Sequence, residues 1–137
     1  MPVMKYQYRE KSSKIFGTIL RPLINIEVFS ETKKDWEIID NVLADTGADL
    51  CILPRFLAEP LVDDITDGQY VEIKGVVPNT VLIAFIHNLK IKLNKKEFTT
   101  KVALADSNDV PPILGRYGGL DLFEVTFNRG KEVIIKD

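Results

Sequence analysis

The residues best suited to chemistry in this chain are Asp45, Thr46 and Gly47, which put a carboxylate and a glycine in one short turn. Apolar runs at residues 42–44 and 50–53 flank the turn. Because an ionised carboxylate is costly to bury beside apolar side chains, we expect Asp45 either to accept hydrogen bonds from nearby backbone N–H groups or to hold its proton unusually tightly. Both properties are typical of a catalytic carboxylate.

A second segment, Pro112-Ile113-Leu114-Gly115-Arg116, combines two aliphatic residues, a glycine and an arginine. Together with the first motif, it resembles the retropepsin-like aspartic proteases, a family that includes the retroviral proteases. The shared order is an apolar strand leading into residues 45–49, a hairpin, a pair of strands, and an aliphatic-aliphatic-Gly-Arg segment before a short helix. The resemblance extends from about Gly17 to Phe127. It implies a closed, mainly β, barrel-like domain with one or two short helices that works as a homodimer.

The resemblance implies a role for each residue of the first motif. Asp45 would be the catalytic carboxylate. Thr46 would form a hydrogen bond across a dimer interface and so hold two active-site loops together. The backbones of Gly47 and Ala48 would support the carboxylate and face the substrate, and Asp49 would contact the substrate main chain.

For the second motif, the resemblance implies a supporting role. Ile113, Leu114 and Gly115 would form its hydrophobic-hydrophobic-Gly segment. Arg116 would form an ion pair with Asp49 and so connect this segment to the catalytic loop. A buried pair of this kind is costly to break from one side, so Asp49 would be more structural than catalytic. The alternative is a surface ion pair that adds little stability.

A predicted hairpin at residues 71–81 lies between the two motifs, with Gly75, Val76 and Val77 at its tip. In the family, such a hairpin is the flap that closes over an extended substrate and excludes water. The resemblance therefore implies that these three residues contact substrate. The tip departs from the glycine-rich flaps of retroviral proteases, because it carries one glycine and a proline.

The expected reaction needs two carboxylates. One must be ionised to take a proton from water while the other stays protonated to polarise the scissile carbonyl, and known aspartic proteases share one proton between two Asp side chains in this way. This chain supplies one such aspartate, so two copies must each contribute Asp45 at a two-fold axis. We therefore predict an aspartic endopeptidase that hydrolyses an extended polypeptide as a symmetric homodimer, without a cofactor.

Other interpretations are open. A non-catalytic dimeric module on the same fold would use the cleft only to bind a peptide strand. Asp45 could simply cap its own turn, a common role for Asp near Gly. Cys51 and His87 could pair as nucleophile and base, although a small thiol in the core is the more ordinary role for Cys51.

The elements that must position these residues are mostly strands. Alternation of apolar and polar residues predicts strands at 24–28 and 89–93. Strand-forming residues between turn residues add candidates at 36–44, 70–74, 80–86, 98–104, 124–127 and 133–135. Helix is expected only at 54–59 and 119–123. Residues 1–14 are polar and charged, which predicts a flexible N-terminal arm ahead of a single domain at 15–137.

Composition narrows the possible partners. The chain of 137 residues is 45% hydrophobic and 28% charged, as expected for one globular domain. Its net charge of −2, with scattered basic residues, argues against nucleic acid as an obligate partner. One Cys and one His cannot form a disulfide or a Cys/His zinc site, so no metal is expected. The longest apolar run, residues 81–86, is too short to span a bilayer, and no signal peptide is evident, so we expect a cytoplasmic protein without a membrane partner.

Overall fold

A computed structural model describes residues 2–75, 77 and 79–137. Within them the strands are β1 (Val3–Gln7), β2 (Arg9–Ser13), β3 (Gly17–Arg21), β4 (Leu23–Ser30), β5 (Asp35–Ala44), β6 (Cys51–Leu53), β7 (Gln69–Lys74), β8 (Val81–Leu93), β9 (Lys96–Ala105), β10 (Ile113–Leu114), β11 (Glu124–Asn128) and β12 (Glu132–Lys136). Helix α1 covers Arg55–Ala58, and two 3₁₀ turns cover Ile65–Asp67 and Leu120–Leu122. None of these helices has the length and apolar character that crossing a membrane requires.

Six of the strands close a barrel. β4 pairs antiparallel with β5, β5 runs parallel to β10, and β10 pairs antiparallel with β6. β6 runs parallel to β9, β9 pairs antiparallel with β8, and β8 returns to β4. β7 pairs with the first half of β8. The prediction of a mainly β, closed barrel-like fold with short helices is therefore confirmed.

Alternating side chains fill the interior of this barrel. Ile24, Ile26 and Val28 of β4 are buried, and so are the apolar residues of 89–93 in β8. Because successive side chains of a strand point to opposite faces, this alternation places one face of each strand in the core. The two strands predicted from period-two alternation are both present.

A bulge shapes the strand that leads to the first motif. Ile24 pairs with Val42, whereas Ile26 pairs with Ile39, so two residues of β5 lie opposite one residue of β4. Asn41, within the bulge, has a φ of 57°, a left-handed conformation that Asn adopts more readily than most residues. Bulges bend a strand and increase its twist, and this one lies just before Asp45.

Residues 1–14, for which we expected a flexible arm, contain strands β1 and β2. β1 pairs with β12, and β2 forms a hairpin with β3. The buried Asn94 amide donates hydrogen bonds to the carbonyls of Pro2 and Ile135, at 3.0 and 3.2 Å. Local composition cannot reveal pairing with the opposite end of the chain, which is why the sequence did not predict β1. The mobility of this segment stays a prediction.

Candidate active site

Asp45 directly follows β5, and neighbouring backbone groups fix its position. Its N–H donates to the Leu114 carbonyl at 3.1 Å. Just before it, the Leu43 N–H donates to the Pro112 carbonyl at 2.9 Å, and the Ala44 N–H donates to the Pro22 carbonyl at 3.0 Å. Three consecutive residues are thus held by backbone from two other parts of the chain. The Asp45 side chain is half-buried at the end of the barrel.

The Asp45 carboxylate accepts a hydrogen bond inside its own loop. The Gly47 N–H donates to Oδ1 of Asp45 at 2.9 Å, and the Ala48 N–H donates to the Asp45 carbonyl at 3.3 Å. The first of the two expectations for Asp45, backbone hydrogen bonding, matches this geometry. A Cβ at position 47 would lie 3.2 Å from Oδ1, so glycine leaves room for the turn to close on the carboxylate. Thr46, at the tip of the loop, is exposed.

The structure brings the second motif against the loop that follows Asp45. β10 lies between β5 and β6, the two strands that flank this loop. The Arg116 N–H donates to the Ala48 carbonyl at 2.8 Å. A Cβ at Gly115 would collide with the Leu50 carbonyl and would lie 2.8 Å from the Ala48 carbonyl oxygen. Glycine is therefore needed at position 115 for the two motifs to pack this closely.

The Arg116 guanidinium lies between two carboxylates. Nη1 is 3.8 Å from Oδ1 of Asp49, and Nη2 is 3.5 Å from Oδ2 of Asp121. The Asp49 side chain is 78% exposed. Both distances are too long for hydrogen bonds, so within one chain these are loose surface ion pairs of small energetic value. Asp121 could not be predicted as a partner of Arg116, because nothing in the sequence places the 3₁₀ turn at residues 120–122 beside that arginine.

The predicted flap corresponds to a hairpin of β7 and the first part of β8. Lys74 pairs with Val81 at the last rung, and the Gly75 N–H donates to the Thr80 carbonyl at 2.9 Å. Gly75 and Val77 are exposed, whereas Val76 lies outside the described residues. The tip therefore carries at least one apolar side chain that is open to a ligand.

A small apolar cluster connects this hairpin to both motifs. Its centre is buried and comes from strands β6, β8 and β9: Ile52, Ala84, Ala103 and Ala105. Half-buried residues from the hairpin, the first motif and the second motif pack on that centre, among them Val71, Ile73, Leu50 and Ile113. Packing of all three parts on one cluster fixes the base of the hairpin relative to the Asp45 loop.

The structure separates Cys51 from His87. Each lies opposite Val102 of β9, but on the two strands that flank β9, which puts their backbones roughly 9–10 Å apart. Burial raises the pKa of the Cys51 thiol, with a smaller opposing effect from the Gly115 backbone. Nε2 of His87 lies 2.7 Å from the Ile65 carbonyl. This arrangement does not suit a thiolate nucleophile and its base.

Among residues 2–75, 77 and 79–137, no three His, Cys, Asp or Glu side chains are grouped to hold a metal ion. The groups that the structure shows at the Asp45 end of the barrel are the Asp45 carboxylate, its backbone donor at Gly47 and the exposed loop around them.

Solved structures with a similar fold include aspartic proteases. A retropepsin-like aspartic protease from Rickettsia conorii superimposes with a TM-score of 0.62 at 18% sequence identity, over 98% of this chain and 92% of that one. The EIAV protease in complex with the inhibitor HBY-793 has a TM-score of 0.48 and 20% identity, over 77% of this chain and 88% of that one. No protein-family profile and no curated protein matches the sequence. The strand order and the structural similarity to the Rickettsia protease together establish that this chain has the retropepsin-like fold.

Proposed function

We propose that the protein is an aspartic endopeptidase that hydrolyses peptide bonds of an extended polypeptide between two Asp45 carboxylates of a symmetric homodimer. The observation that carries this proposal is the position of Asp45 on a retropepsin-like barrel. Its carboxylate accepts a hydrogen bond from Gly47, and β10 pairs with both strands that flank its loop, β5 and β6. General-base activation of water requires a carboxylate that is held in position.

In the proposed reaction, the ionised Asp45 of one subunit takes a proton from water as the water attacks the scissile carbonyl. The protonated Asp45 of the other subunit gives its proton to the carbonyl oxygen, which forms a neutral tetrahedral diol. When the diol collapses, the C–N bond breaks and the amine nitrogen takes the proton that the first Asp45 removed from water. A hydroxyl proton of the diol returns to the second Asp45, so the pair again holds one proton. Within each subunit, the Gly47 N–H orients the carboxylate, so little reorganisation is needed at the moment of reaction.

The surface of the Asp45 loop supports a role for a second copy. Thr46 and Gly47 are exposed at the tip, where a two-fold axis would bring two loops together. We propose that Thr46 forms a hydrogen bond to the partner's loop. Ala48 and Asp49, together with the hairpin tip at Gly75, Val76 and Val77, would line the substrate cleft.

To test this proposal, a diverse peptide library is digested with the purified wild type and with Asp45→Asn. The digestion covers about pH 4 to 7, where a proton shared by the two carboxyl groups supports activity. We expect cleavage by the wild type, with activity that falls at both ends of a wider pH range, and none by the variant. Asp67→Asn is the matched control, because Asp67 is exposed in the 3₁₀ turn at residues 65–67. Cleavage that persists in Asp45→Asn would refute the proposal.

A non-catalytic peptide-binding module is the second candidate. It is favoured by the apolar exposure of Val77, Val81 and Ile83 on the flap hairpin, which suits an extended ligand whether or not a bond is cleaved. Under this alternative, a well-folded wild-type dimer binds peptides and Asp45→Asn binds them equally well, yet neither cleaves them. Titration calorimetry with the library-derived peptides separates the two functions.

A further inference from the structure

The β2–β3 hairpin has no place in the catalytic geometry described above. It forms a two-stranded sheet of its own, in which Arg9 pairs with Arg21 and Ser13 pairs with Gly17. An isolated two-stranded hairpin is at best marginally stable in water. An element of this kind is expected to gain stability from a surface that covers it.

The turn at the tip of the hairpin is well formed and apolar. The Ser13 hydroxyl oxygen accepts hydrogen bonds from the Ile15 and Phe16 N–H groups, both at 3.2 Å, and Gly17 closes the turn with a φ of 78°. Ile15 and Phe16 are 83% and 74% exposed. A firmly built turn that presents two large apolar side chains to solvent is typical of an interaction surface.

The base of the hairpin lies beside the Asp45 loop. The Arg9 guanidinium donates hydrogen bonds to the side chains of Asn25 and Asn41, at the bulge in β5. β3 then leads into Pro22, whose carbonyl accepts a hydrogen bond from the N–H of Ala44, the residue before Asp45. The hairpin therefore begins at the end of the barrel that a second copy must approach if two Asp45 residues are to meet.

An open groove of about 820 Å³ separates the hairpin from the barrel. Its barrel wall is largely apolar and includes Leu57, Val110 and Pro111. Ile38 and Phe56 on the same wall are 68% and 57% exposed. The groove and the hairpin tip are thus two exposed apolar surfaces of one chain, and the base of the hairpin lies near the Asp45 end.

Two exposed aspartates line the groove, and a lysine lies at the hairpin tip. Asp40 and Asp109 are exposed on the barrel wall, and among the described residues neither has a Lys or Arg nitrogen within 4.0 Å. Three of the four basic residues of the hairpin, Arg9, Lys11 and Arg21, line the groove themselves together with Glu10, so they do not distinguish the two surfaces. Lys14 directly precedes Ile15, so a basic side chain accompanies the apolar tip.

We propose that the Ile15 and Phe16 tip of each hairpin binds in the groove of the partner subunit, so that two copies of this chain exchange hairpins about their two-fold axis. The proposal rests on the proposed function, because the paired Asp45 residues are what bring the second copy to this end of the barrel. Such an interface is self-complementary, as two-fold symmetry demands, since each chain supplies one tip and one groove.

The first test measures the dimer dissociation constant by sedimentation for the wild type, Phe16→Ser and Phe56→Ser. Each substitution removes one large apolar contact that is made twice in the dimer, so we expect the dissociation constant to rise at least about tenfold. Tyr70→Ser is the matched control, because Tyr70 is a similarly exposed aromatic residue on β7, and it should leave the constant unchanged. Circular dichroism checks that each variant is folded.

The second test does not depend on the stability of either serine variant. Phe16→Cys and Phe56→Cys chains are mixed under mild oxidation, and disulfides are mapped by mass spectrometry. Since Cys51 is buried, the introduced thiols are the accessible ones. We expect an intermolecular disulfide between positions 16 and 56. A mixture of Phe16→Cys with Tyr70→Cys serves as the control for random collision and should give no comparable product.

Two outcomes would overturn the hairpin exchange. One is a dissociation constant that neither serine variant changes, together with no disulfide between positions 16 and 56. The other is weaker peptide binding in Phe56→Ser with an unchanged dimer, which would assign the groove to the substrate. Library digestion remains a separate readout. A hairpin-exchanged dimer that cleaves no peptide refutes the peptidase alone, whereas an active peptidase insensitive to both substitutions refutes the exchange alone.

Discussion

A side chain at position 115 would occupy the space of the loop that follows Asp45. The collision is with backbone carbonyls of Ala48 and Leu50, which cannot rotate away as the end of a flexible side chain can. Any relief must therefore come from movement of β10 away from β6, or from distortion of the loop itself. The same shift would disturb the hydrogen bond from the Arg116 N–H to Ala48.

We predict that Gly115→Ala destabilises the fold by about 1–3 kcal/mol, the usual cost of overpacking, and that it lowers peptidase activity more than stability alone explains. Thermal unfolding and peptide turnover measure the two effects. Gly75→Ala is the control for stability alone, because its Cβ would lie 3.3 Å from the Thr80 Cβ, a tight contact but not a collision. Its turnover is not compared, because Gly75 is proposed to line the substrate cleft. Equal melting temperatures for the two variants would contradict this reading of Gly115.

The Cys51 thiol provides a prediction about pH. Burial raises its pKa above the ordinary value, so the folded state holds the thiol proton more tightly than the unfolded state does. Above about pH 8.5, the pKa of an unperturbed thiol, the unfolded chain ionises first, and the stability contributed by Cys51 declines as pH rises. We expect the free energy of unfolding of the wild type to fall relative to that of Cys51→Ala between pH 8 and 10, as measured by urea denaturation. A difference that stays constant with pH would contradict the prediction.

For single residues, the sequence predicts an interaction correctly when both partners lie close together in the chain. The apolar residues on both sides of Asp45 predict either backbone donors to its carboxylate or a tightly held proton, and the Gly47 N–H is such a donor. Interaction partners that the fold brings in from other segments cannot be predicted from local sequence. The Pro22 carbonyl, which binds Ala44, and Asp121, which lies beside Arg116, both depend on the path of the whole chain.

Among the elements, the shortest strand has the largest effect on the site. β10 has only two residues, so no period-two pattern could identify it, yet it joins β5 to β6. The longer strands β4, β5, β8 and β9 follow from alternation and β-branched content. β1 is different again, because its burial is slight and its partner β12 lies at the other end of the chain. Alternation reveals which face a strand buries, but it does not reveal which strand is its neighbour.

Asn94 allows the attachment of β1 to be tested. Its buried amide joins the Pro2 and Ile135 carbonyls, and it adopts a φ of 52°. We predict that Asn94→Ala costs about 1–3 kcal/mol, since it removes the amide that donates to the Ile135 carbonyl in buried surroundings, and that amide hydrogen exchange accelerates across Val3–Gln7. Lys95→Ala is the control, because Lys95 has a similar φ of 65° and an exposed side chain. If the β1 amides exchange at the same rate in all three proteins, the proposed role of Asn94 is wrong. If that common rate is also fast, the expected flexible arm is supported.

For the whole molecule, the central expectation is that one chain holds half of the active site. A peptidase of this kind must lose specific activity on dilution below its dimer dissociation constant, because each separated subunit keeps only one carboxylate. The proposed exchange of hairpins bears on the same equilibrium, since it would strengthen the dimer without touching the reacting groups.

Mixing wild-type and variant subunits tests whether each chain supplies one of the two catalytic carboxylates. We predict that an excess of Asp45→Asn chains inhibits the wild type, because wild-type subunits are drawn into mixed dimers that lack one carboxylate. The same excess of Asp67→Asn should not inhibit, since mixed dimers with it retain both carboxylates. Activity is measured after equilibration at fixed wild-type concentration. Full activity in the presence of excess Asp45→Asn would mean that one chain catalyses alone.

The position of β10 late in the sequence also determines when the Asp45 loop can fold during translation. The carbonyls of Pro112 and Leu114 accept hydrogen bonds from the Leu43 and Asp45 N–H groups, and the Arg116 N–H donates to the Ala48 carbonyl. The ribosome adds residues 112–116 long after Asp45 itself. Contacts between residues so far apart in sequence form slowly, because a large loop must close first. During translation, Asp45 is therefore synthesised early, but its loop gains these hydrogen bonds only after residues 112–116 have been added. The proposed peptidase activity would then begin only late in the synthesis of each chain.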